Sequence, residues 1–224
     1  MWNEPPTTDE LVRAYLSAKR EVIERGFDGE IAWQARMDAR DVTCQSFVRE
    51  SAWVILCAGM REAVIRSRFA ELAYVFHDFD PASMVQKAST MRPAALGVFG
   101  HERKIEAILA VAEIVDGLGL AGLRKSLEDV EGFLVSLPYV GPITWRHLAK
   151  NLGYSVAKAD RHLARLATAW NRESVDILCS EISCWLGEPV PVVDVVLWRW
   201  SVLHRDSCRT RCEPGAPCFA LTSP

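Results

Sequence analysis

The sequence lacks long hydrophobic runs, and its N-terminus carries neither a basic stretch nor an apolar segment. A membrane-spanning helix needs about 20 consecutive apolar residues, and a secretory signal needs both N-terminal features, so we expect no membrane contact and a cytoplasmic location. The seven cysteines are an odd number and, without a secretion signal, do not indicate a disulfide framework. These absences argue against membrane-spanning and disulfide-rich secreted proteins.

The chain also lacks a strong net charge, since 26 Lys and Arg stand against 29 Asp and Glu, a formal charge of −3 in 224 residues. Any binding to nucleic acid must therefore come from local clustering of basic side chains. One segment is clustered in this way, because residues 141–172 hold six basic residues and a single acid, Asp160. The six are Arg146, Lys150, Lys158, Arg161, Arg165 and Arg172.

Alternating strand patterns bounded by turn residues are missing as well, whereas apolar residues recur at helical spacing along most of the chain. Half of the residues are apolar, enough for a folded, soluble domain. The spacing predicts an all-α fold, with Pro- and Gly-containing breaks such as Asp80-Pro81, Arg92-Pro93 and Gly153. The helices are predicted at 9–25, 46–58, 60–76, 102–116, 128–136, 142–152, 161–170, 174–186 and 191–204.

Gly117 to Gly122 matches the dinucleotide-binding pattern G-x-G-x-x-G letter for letter. That motif requires a preceding strand and an acid about 20 residues later, to bind the ribose. Here a helix precedes the glycines, and position 137 is Leu. The segment is therefore interpreted as a helix end and connector.

The segment from Leu137 to Trp145 predicts a helix end, a tight turn containing Pro138 and Gly141, and a new helix after Pro142. Such a turn exposes backbone N–H groups beside the positive end of a helix dipole, which is a phosphate-binding arrangement. An ordinary helical hairpin is the alternative. Further on, Asp160 opens a basic helix, either as a simple N-cap or as a carboxylate beside a phosphate site.

The hairpin Leu137-Pro138-Tyr139-Val140-Gly141, followed by Thr144, Asp160 and His162, resembles the helix-hairpin-helix DNA glycosylases of the HhH-GPD superfamily. The upstream segments 54–61 and 96–108 are similar to that family in outline. The resemblance implies two helical lobes with the site in the cleft between them. A six-helix barrel would span 45–165, with the helix-hairpin-helix at about 130–152, and the second lobe would combine 1–44 with 166–224.

The resemblance assigns the catalytic role to Asp160. Its carboxylate would stabilise positive charge on the deoxyribose while the N-glycosidic bond breaks and water attacks C1′. Members that also cut the DNA backbone carry a lysine where this chain has Ile143, so the resemblance implies a monofunctional glycosylase. Two alternatives stay open: a bifunctional enzyme using Lys150 or Lys158, and a non-catalytic DNA-binding protein in which Asp160 is only a cap.

The implied partner is double-stranded DNA with a damaged or modified base, bound by a monomer. The hairpin would bind phosphate, and the loop around Met60 would fill the gap left by the extruded nucleotide. The expected DNA contacts are Gly59, Met60, Arg61, Pro138, Tyr139, Val140, Gly141, Thr144, Arg146, Lys150, Lys158 and Arg161. Trp53, Cys57 and Trp145 are expected to line the base pocket.

The C-terminal tail contains Cys208, Cys212 and Cys218, with His204 four residues earlier. Many relatives hold an iron–sulfur cluster on four cysteines in this region. This chain has one cysteine fewer and a different first spacing, so its tail could hold zinc, an unusual cluster or no metal. The proposed chemistry at Asp160 requires no cofactor.

Overall fold

The computed structural model describes residues 6–204. This part of the chain contains twelve α-helices and no strand, which confirms the predicted all-α class. None of these helices is both long enough and apolar enough to cross a membrane. The helices are α1 (Thr8–Glu24), α2 (Asp28–Arg36), α3 (Cys44–Cys57), α4 (Glu62–Val75), α5 (Pro81–Gln86), α6 (Ala88–Val98), α7 (Glu102–Ser126), α8 (Val130–Ser136), α9 (Thr144–Asn151), α10 (Arg161–Ala169), α11 (Val175–Leu186) and α12 (Val190–Leu203).

Side-chain caps fix where several helices begin. At α1, the hydroxyl of Thr7 accepts from the N–H of Glu10, and the Glu10 carboxylate accepts from the N–H of Thr7. Thr43 and Ser46 form the same reciprocal pair at the start of α3. Each pair satisfies N–H groups that have no partner inside the helix, so both helices start one or two residues before the predicted positions.

Three helices, α2, α5 and α6, were not predicted from the apolar spacing. The expected break at Arg92-Pro93 is wrong, because Pro93 lies inside α6. Proline removes one backbone donor and disfavours a helix interior. Here Met91 and Ala95 of the same helix are buried, and α6 packs against both α4 and α7. Tertiary packing therefore offsets the local preference for a break.

The described helices fall into two compact units. The continuous unit spans 38–154 and contains α3 to α9, with α3 packed along α7 and Phe47, Ile55 and Ile108 among its fully buried side chains. The discontinuous unit combines the chain up to 37 with the chain from 155 onward, and Tyr15 and Val196 lie in its core.

The boundaries of these units differ from those expected at 45 and 165. The contacts place them at 38 and at 154. The difference matters for the site, because it assigns Asp160 to the discontinuous unit and the hairpin to the continuous one.

The glycines from Gly117 to Gly122 lie within α7, which runs over 25 residues. Gly119 interrupts the helical backbone with φ 60° and ψ −179°. A side-chain-bearing residue rarely adopts that conformation. The predicted connector is therefore a single kink at Gly119, and a helix precedes it where a dinucleotide motif would need a strand.

We expect the Gly153→Ala variant to lose about 2–4 kcal/mol of unfolding free energy. Gly153 has φ +92°, and a Cβ there would lie 2.7 Å from backbone atoms of Asp38 and Ala39, which cannot rotate away. Gly97→Ala is the matched control, because Gly97 lies in α6 with no atom within 4 Å of the added carbon. The control should be neutral or stabilising by up to about 1 kcal/mol. Urea denaturation measures both, and equal stabilities would contradict the expectation.

Candidate functional site

The turn between α8 and α9 has two buried apolar side chains, and its other residues are partly or fully exposed. Leu137 and Val140 are buried, whereas Tyr139 and Ile143 are exposed. Tyr139 has φ 67°, in the left-handed region. The chain thus forms the predicted helix, tight turn and helix over 130–151.

The backbone donors of this turn differ in whether they have a partner. The N–H of Val140 donates to the carbonyl of Leu137 at 3.1 Å. This N–H is therefore not available for phosphate, contrary to what the hairpin interpretation expected. Within residues 6–204, the N–H groups of Tyr139, Gly141 and Ile143 donate to no backbone acceptor. These three donors lie next to the N-terminus of α9, where the helix dipole attracts anions.

Two predicted site residues on α9 are buried instead of lining a surface. Lys150 is 6% exposed and Trp145 is also 6% exposed, so neither the phosphate contact of Lys150 nor the base stacking of Trp145 is supported. α9 packs against both α3 and α8, which leaves less of its surface exposed than its amphipathic pattern indicates. Arg146 remains partly exposed, with its guanidinium 5.1 Å from the centre of the Trp145 ring.

The loop over 58–61 joins α3 to α4 and is largely exposed. Exposure is what the expected insertion into DNA would require. Gly59 has φ +70°, Met60 is 40% exposed and Arg61 caps α4 on the surface. A flexible apolar side chain at an exposed loop tip is suited to enter a gap in a base stack.

Trp53 and Cys57, the other expected pocket residues, lie on the last turns of α3 and are partly buried. The Trp53 ring meets Phe69 edge-on at 5.1 Å, and the Arg66 guanidinium lies 5.5 Å from its centre. Trp53 is therefore engaged by side chains of α4, which favours packing over base stacking. Cys57 forms no disulfide within the described residues.

Asp160 is the N-cap of α10, and its carboxylate is oriented by the first turn of that helix. Oδ1 accepts from the N–H of His162 at 2.8 Å and of Leu163 at 3.2 Å. Oδ2 lies 3.8 Å from Nζ of Lys158, and the side chain is 16% exposed. One oxygen is thus committed to the helix, and the other faces a cation with partial access to solvent.

The residues around Asp160 are fixed by a buried carboxylate that the sequence analysis missed. Asp194, on α12, is 1% exposed and accepts from the backbone N–H of Lys158 at 2.7 Å. This bond holds the chain two residues before Asp160. A signal was present in the sequence, because Asp194 interrupts the apolar run from Val190 to Leu197. A lone acid in such a run has to find a hydrogen-bond partner when it is buried.

The remaining predicted contacts near Asp160 differ in exposure. Arg161 is exposed at the first position of α10, and Lys158 is partly buried. His162 is buried, with Nδ1 3.5 Å from the Ser201 hydroxyl. Of the cations expected to bind DNA, Arg61, Arg146, Lys158 and Arg161 therefore keep some access to solvent, and Lys150 does not.

The predicted metal site falls mostly outside the described residues, because Cys208, Cys212 and Cys218 lie beyond 204. Its fourth member, His204, is engaged by protein groups. Its Nδ1 lies 2.9 Å from the Trp200 carbonyl oxygen, and its Nε2 lies 3.5 Å from Glu21. Within the described range, no three His, Cys, Asp or Glu side chains are arranged to hold a metal ion. The metal in the tail stays a prediction.

The sequence analysis also missed a hydrogen-bonded polar pair in the continuous unit. The amide of Asn151, a buried residue at the end of α9, donates to Oε2 of Glu50 on α3 at 2.9 Å. Burial raises the pKa of the Glu50 carboxyl to about 7, against the lowering effects of the Asn151 hydrogen bond and the Arg49 charge. The pair ties the second helix of the hairpin to α3.

Comparisons with known proteins found no relative of this chain. No family model matches it, and neither a curated protein nor a solved structure does. The features that bear on function are therefore those of each unit taken by itself. They are the hairpin turn and the exposed loop of the continuous unit, and the capping carboxylate of Asp160 in the discontinuous unit.

We expect the stability of the natural chain to fall, relative to the Glu50→Gln variant, as pH rises from about 4.5 to about 7. The ordinary pKa of 4.5 applies to the unfolded chain and the raised value to the folded one. The folded state then binds more protons than the unfolded state across this window. The free energy of unfolding therefore falls by at most about 1.4 kcal/mol for each pH unit. Gln keeps the acceptor for Asn151 and does not ionise. Urea denaturation near pH 5 and pH 8 measures the difference, and an equal difference at both would contradict it.

Proposed function

We propose that this chain is a DNA N-glycosylase that extrudes a damaged or modified base and hydrolyses its N-glycosidic bond, with Asp160 as the catalytic carboxylate. The observation that carries the proposal is the fixed, partly exposed carboxylate at the N-terminus of a helix with Arg161 exposed and Lys158 3.8 Å away. In the sequence, Asp160 follows a helical hairpin, and the turn of that hairpin has N–H groups that donate to no backbone acceptor.

Binding of the DNA strand would use the donors of the hairpin turn. The N–H groups of Tyr139, Gly141 and Ile143 would meet one phosphate beside the positive end of the α9 dipole. Arg146, outside the turn, adds charge. Contacts of this kind depend on salt and not on sequence, because they release counterions from the phosphate backbone.

Extrusion of the base would use the 58–61 loop. Met60 is the exposed apolar side chain there, and it would occupy the space that the base leaves. Unstacking costs a few kcal/mol and costs least for a mispaired or damaged base, which itself selects the substrate.

The chemical step would use the charge of Asp160. As the bond between C1′ and the base breaks, the sugar acquires positive charge, and a carboxylate held in place stabilises that charge without having to reorganise. Oδ1 is retained by the N–H groups of α10, which leaves Oδ2 to face the sugar and to orient the attacking water.

The experiment that tests the function is incubation with duplexes that each carry one modified base, followed by alkali to cleave abasic sites. The set should include oxidised and alkylated purines, deaminated or mismatched pyrimidines and hypermodified bases. Strand cleavage after alkali on at least one duplex is the expected result. Salt-dependent DNA binding without any excision would instead favour a non-catalytic DNA-binding protein.

We expect the Asp160→Asn variant to fold as the natural chain does and to lose about 10²- to 10⁴-fold in the rate of excision. Asn is as good an N-cap as Asp, so unfolding free energy should change by less than about 0.5 kcal/mol. Only the charge is removed. The matched control is Asp80→Asn, which changes the capping carboxylate of α5. Single-turnover excision and gel-shift binding measure the effect, and full activity in Asp160→Asn would contradict the assignment.

A bifunctional glycosylase and lyase is the second candidate, and the 3.8 Å distance between Lys158 Nζ and Asp160 favours it. In that reaction the lysine amine attacks C1′ as the base leaves and forms a Schiff base with the opened sugar. Borohydride would then trap protein on DNA, and strands would break without alkali. Trapping that disappears in Lys158→Gln would establish this reaction, and cleavage that needs alkali would support the monofunctional one.

A further inference from the structure

A buried lysine connects the two segments to which the proposed function assigns DNA contacts. Lys104, on the first turn of α7, is 1% exposed. Its Nζ donates to the carbonyl oxygen of Leu56 and to that of Ala58, each at 2.6 Å. Leu56 lies in the last turn of α3, and Ala58 begins the 58–61 loop. The ammonium thus holds the point from which that loop starts.

The same ammonium reaches the hairpin turn. Nζ lies 5.7 Å from the centre of the Tyr139 ring, within the range of cation–π attraction. The edge of the ring is also contacted by His101, with the two ring centres 6.2 Å apart. Tyr139 occupies the left-handed backbone position of the turn. The ring that faces the ammonium thus belongs to the residue that gives the turn its left-handed backbone position.

The charge of Lys104, not its volume, is what makes these contacts. A buried ammonium is destabilising unless it is hydrogen-bonded, and here its partners are carbonyls at the negative end of α3 and the electron-rich face of a ring. An apolar side chain of the same length would fill the space and orient none of these groups. Burial lowers the pKa of the Lys104 amine, in keeping with its enclosure.

We propose that Lys104 is a positioning residue that couples the 58–61 loop to the hairpin turn, so that both DNA contacts are held at one fixed separation. The inference rests on the proposed function, because it says how Met60 of the 58–61 loop and the phosphate-binding hairpin turn act on the same DNA strand. The coupling itself is a property of the free protein, and it is testable without DNA.

The test is amide hydrogen exchange of the free protein. Lys104→Met should raise exchange about tenfold in both 56–61 and 137–143 and leave the middle of α7, 107–115, unchanged. Lys104→Arg keeps a cation and should restore part of the protection. Lys125→Met, an exposed lysine of the same helix, is the control and should change neither segment. A rise in only one segment, or an equal rise in the middle of α7, would overturn the coupling.

A second variant keeps the inference testable if Lys104→Met does not fold. Tyr139 is 42% exposed, so Tyr139→Leu removes the ring from a position that the core does not need. Coupling through Lys104 predicts faster exchange in the 58–61 loop, because the Tyr139 ring contacts the ammonium that binds the Ala58 carbonyl. Unchanged exchange there would overturn the inference.

The two proposals fail in distinguishable ways. With an active substrate, Lys104→Met should reduce the single-turnover excision rate at saturating enzyme by about tenfold or more while DNA affinity changes little, because the strand is bound but the wedge is misplaced. If exchange shows the coupling and no duplex in the set loses a base, the coupling stands and the proposed function fails.

Discussion

The proposed chemistry depends on the two hydrogen bonds that the first turn of α10 donates to Asp160. A carboxylate on a free side chain would rotate toward water and meet a developing positive charge in no fixed place. The N–H groups of His162 and Leu163 remove that freedom from Oδ1, and the dipole of α10 stabilises the negative charge. The helix cap and the proposed catalytic group are therefore one carboxylate, in which Oδ1 caps the helix and Oδ2 is left to face the sugar, so capping alone does not argue against the proposal.

In each unit, polar groups with little exposure stabilise the segments to which the proposal assigns a role. Asp194 fixes the backbone before Asp160, Lys104 fixes the end of α3, and Asn151 with Glu50 joins α9 to α3. Each such group loses hydration on folding and is retained only through its hydrogen bonds. These hydrogen bonds fix the backbone next to the residues that the proposal uses. Electrostatic catalysis requires such fixed positions, because charges and donors that move would stabilise a transition state less.

Sequence patterns predicted the features that depend on near neighbours in the chain. The helical class, the presence of a turn between α8 and α9 and the capping position of Asp160 all follow from local spacing. The spacing did not identify Tyr139, instead of the glycine, as the left-handed residue of that turn. Features that depend on distant partners were missed or wrong. Lys150 was expected at the surface, but it is buried because α9 packs on two other helices. No residue near Lys104 in the sequence indicates that its ammonium binds the carbonyls at the end of α3.

The role proposed for the Asp160 charge is measured by the affinity for a positively charged sugar analogue, because this experiment requires no knowledge of the base. A duplex in which a cationic pyrrolidine replaces one deoxyribose resembles the charged transition state, and a neutral tetrahydrofuran resembles only its shape. We expect the natural chain to prefer the cationic duplex by about tenfold or more and Asp160→Asn to abolish this preference. Equal affinity of the natural chain for the two duplexes would contradict it.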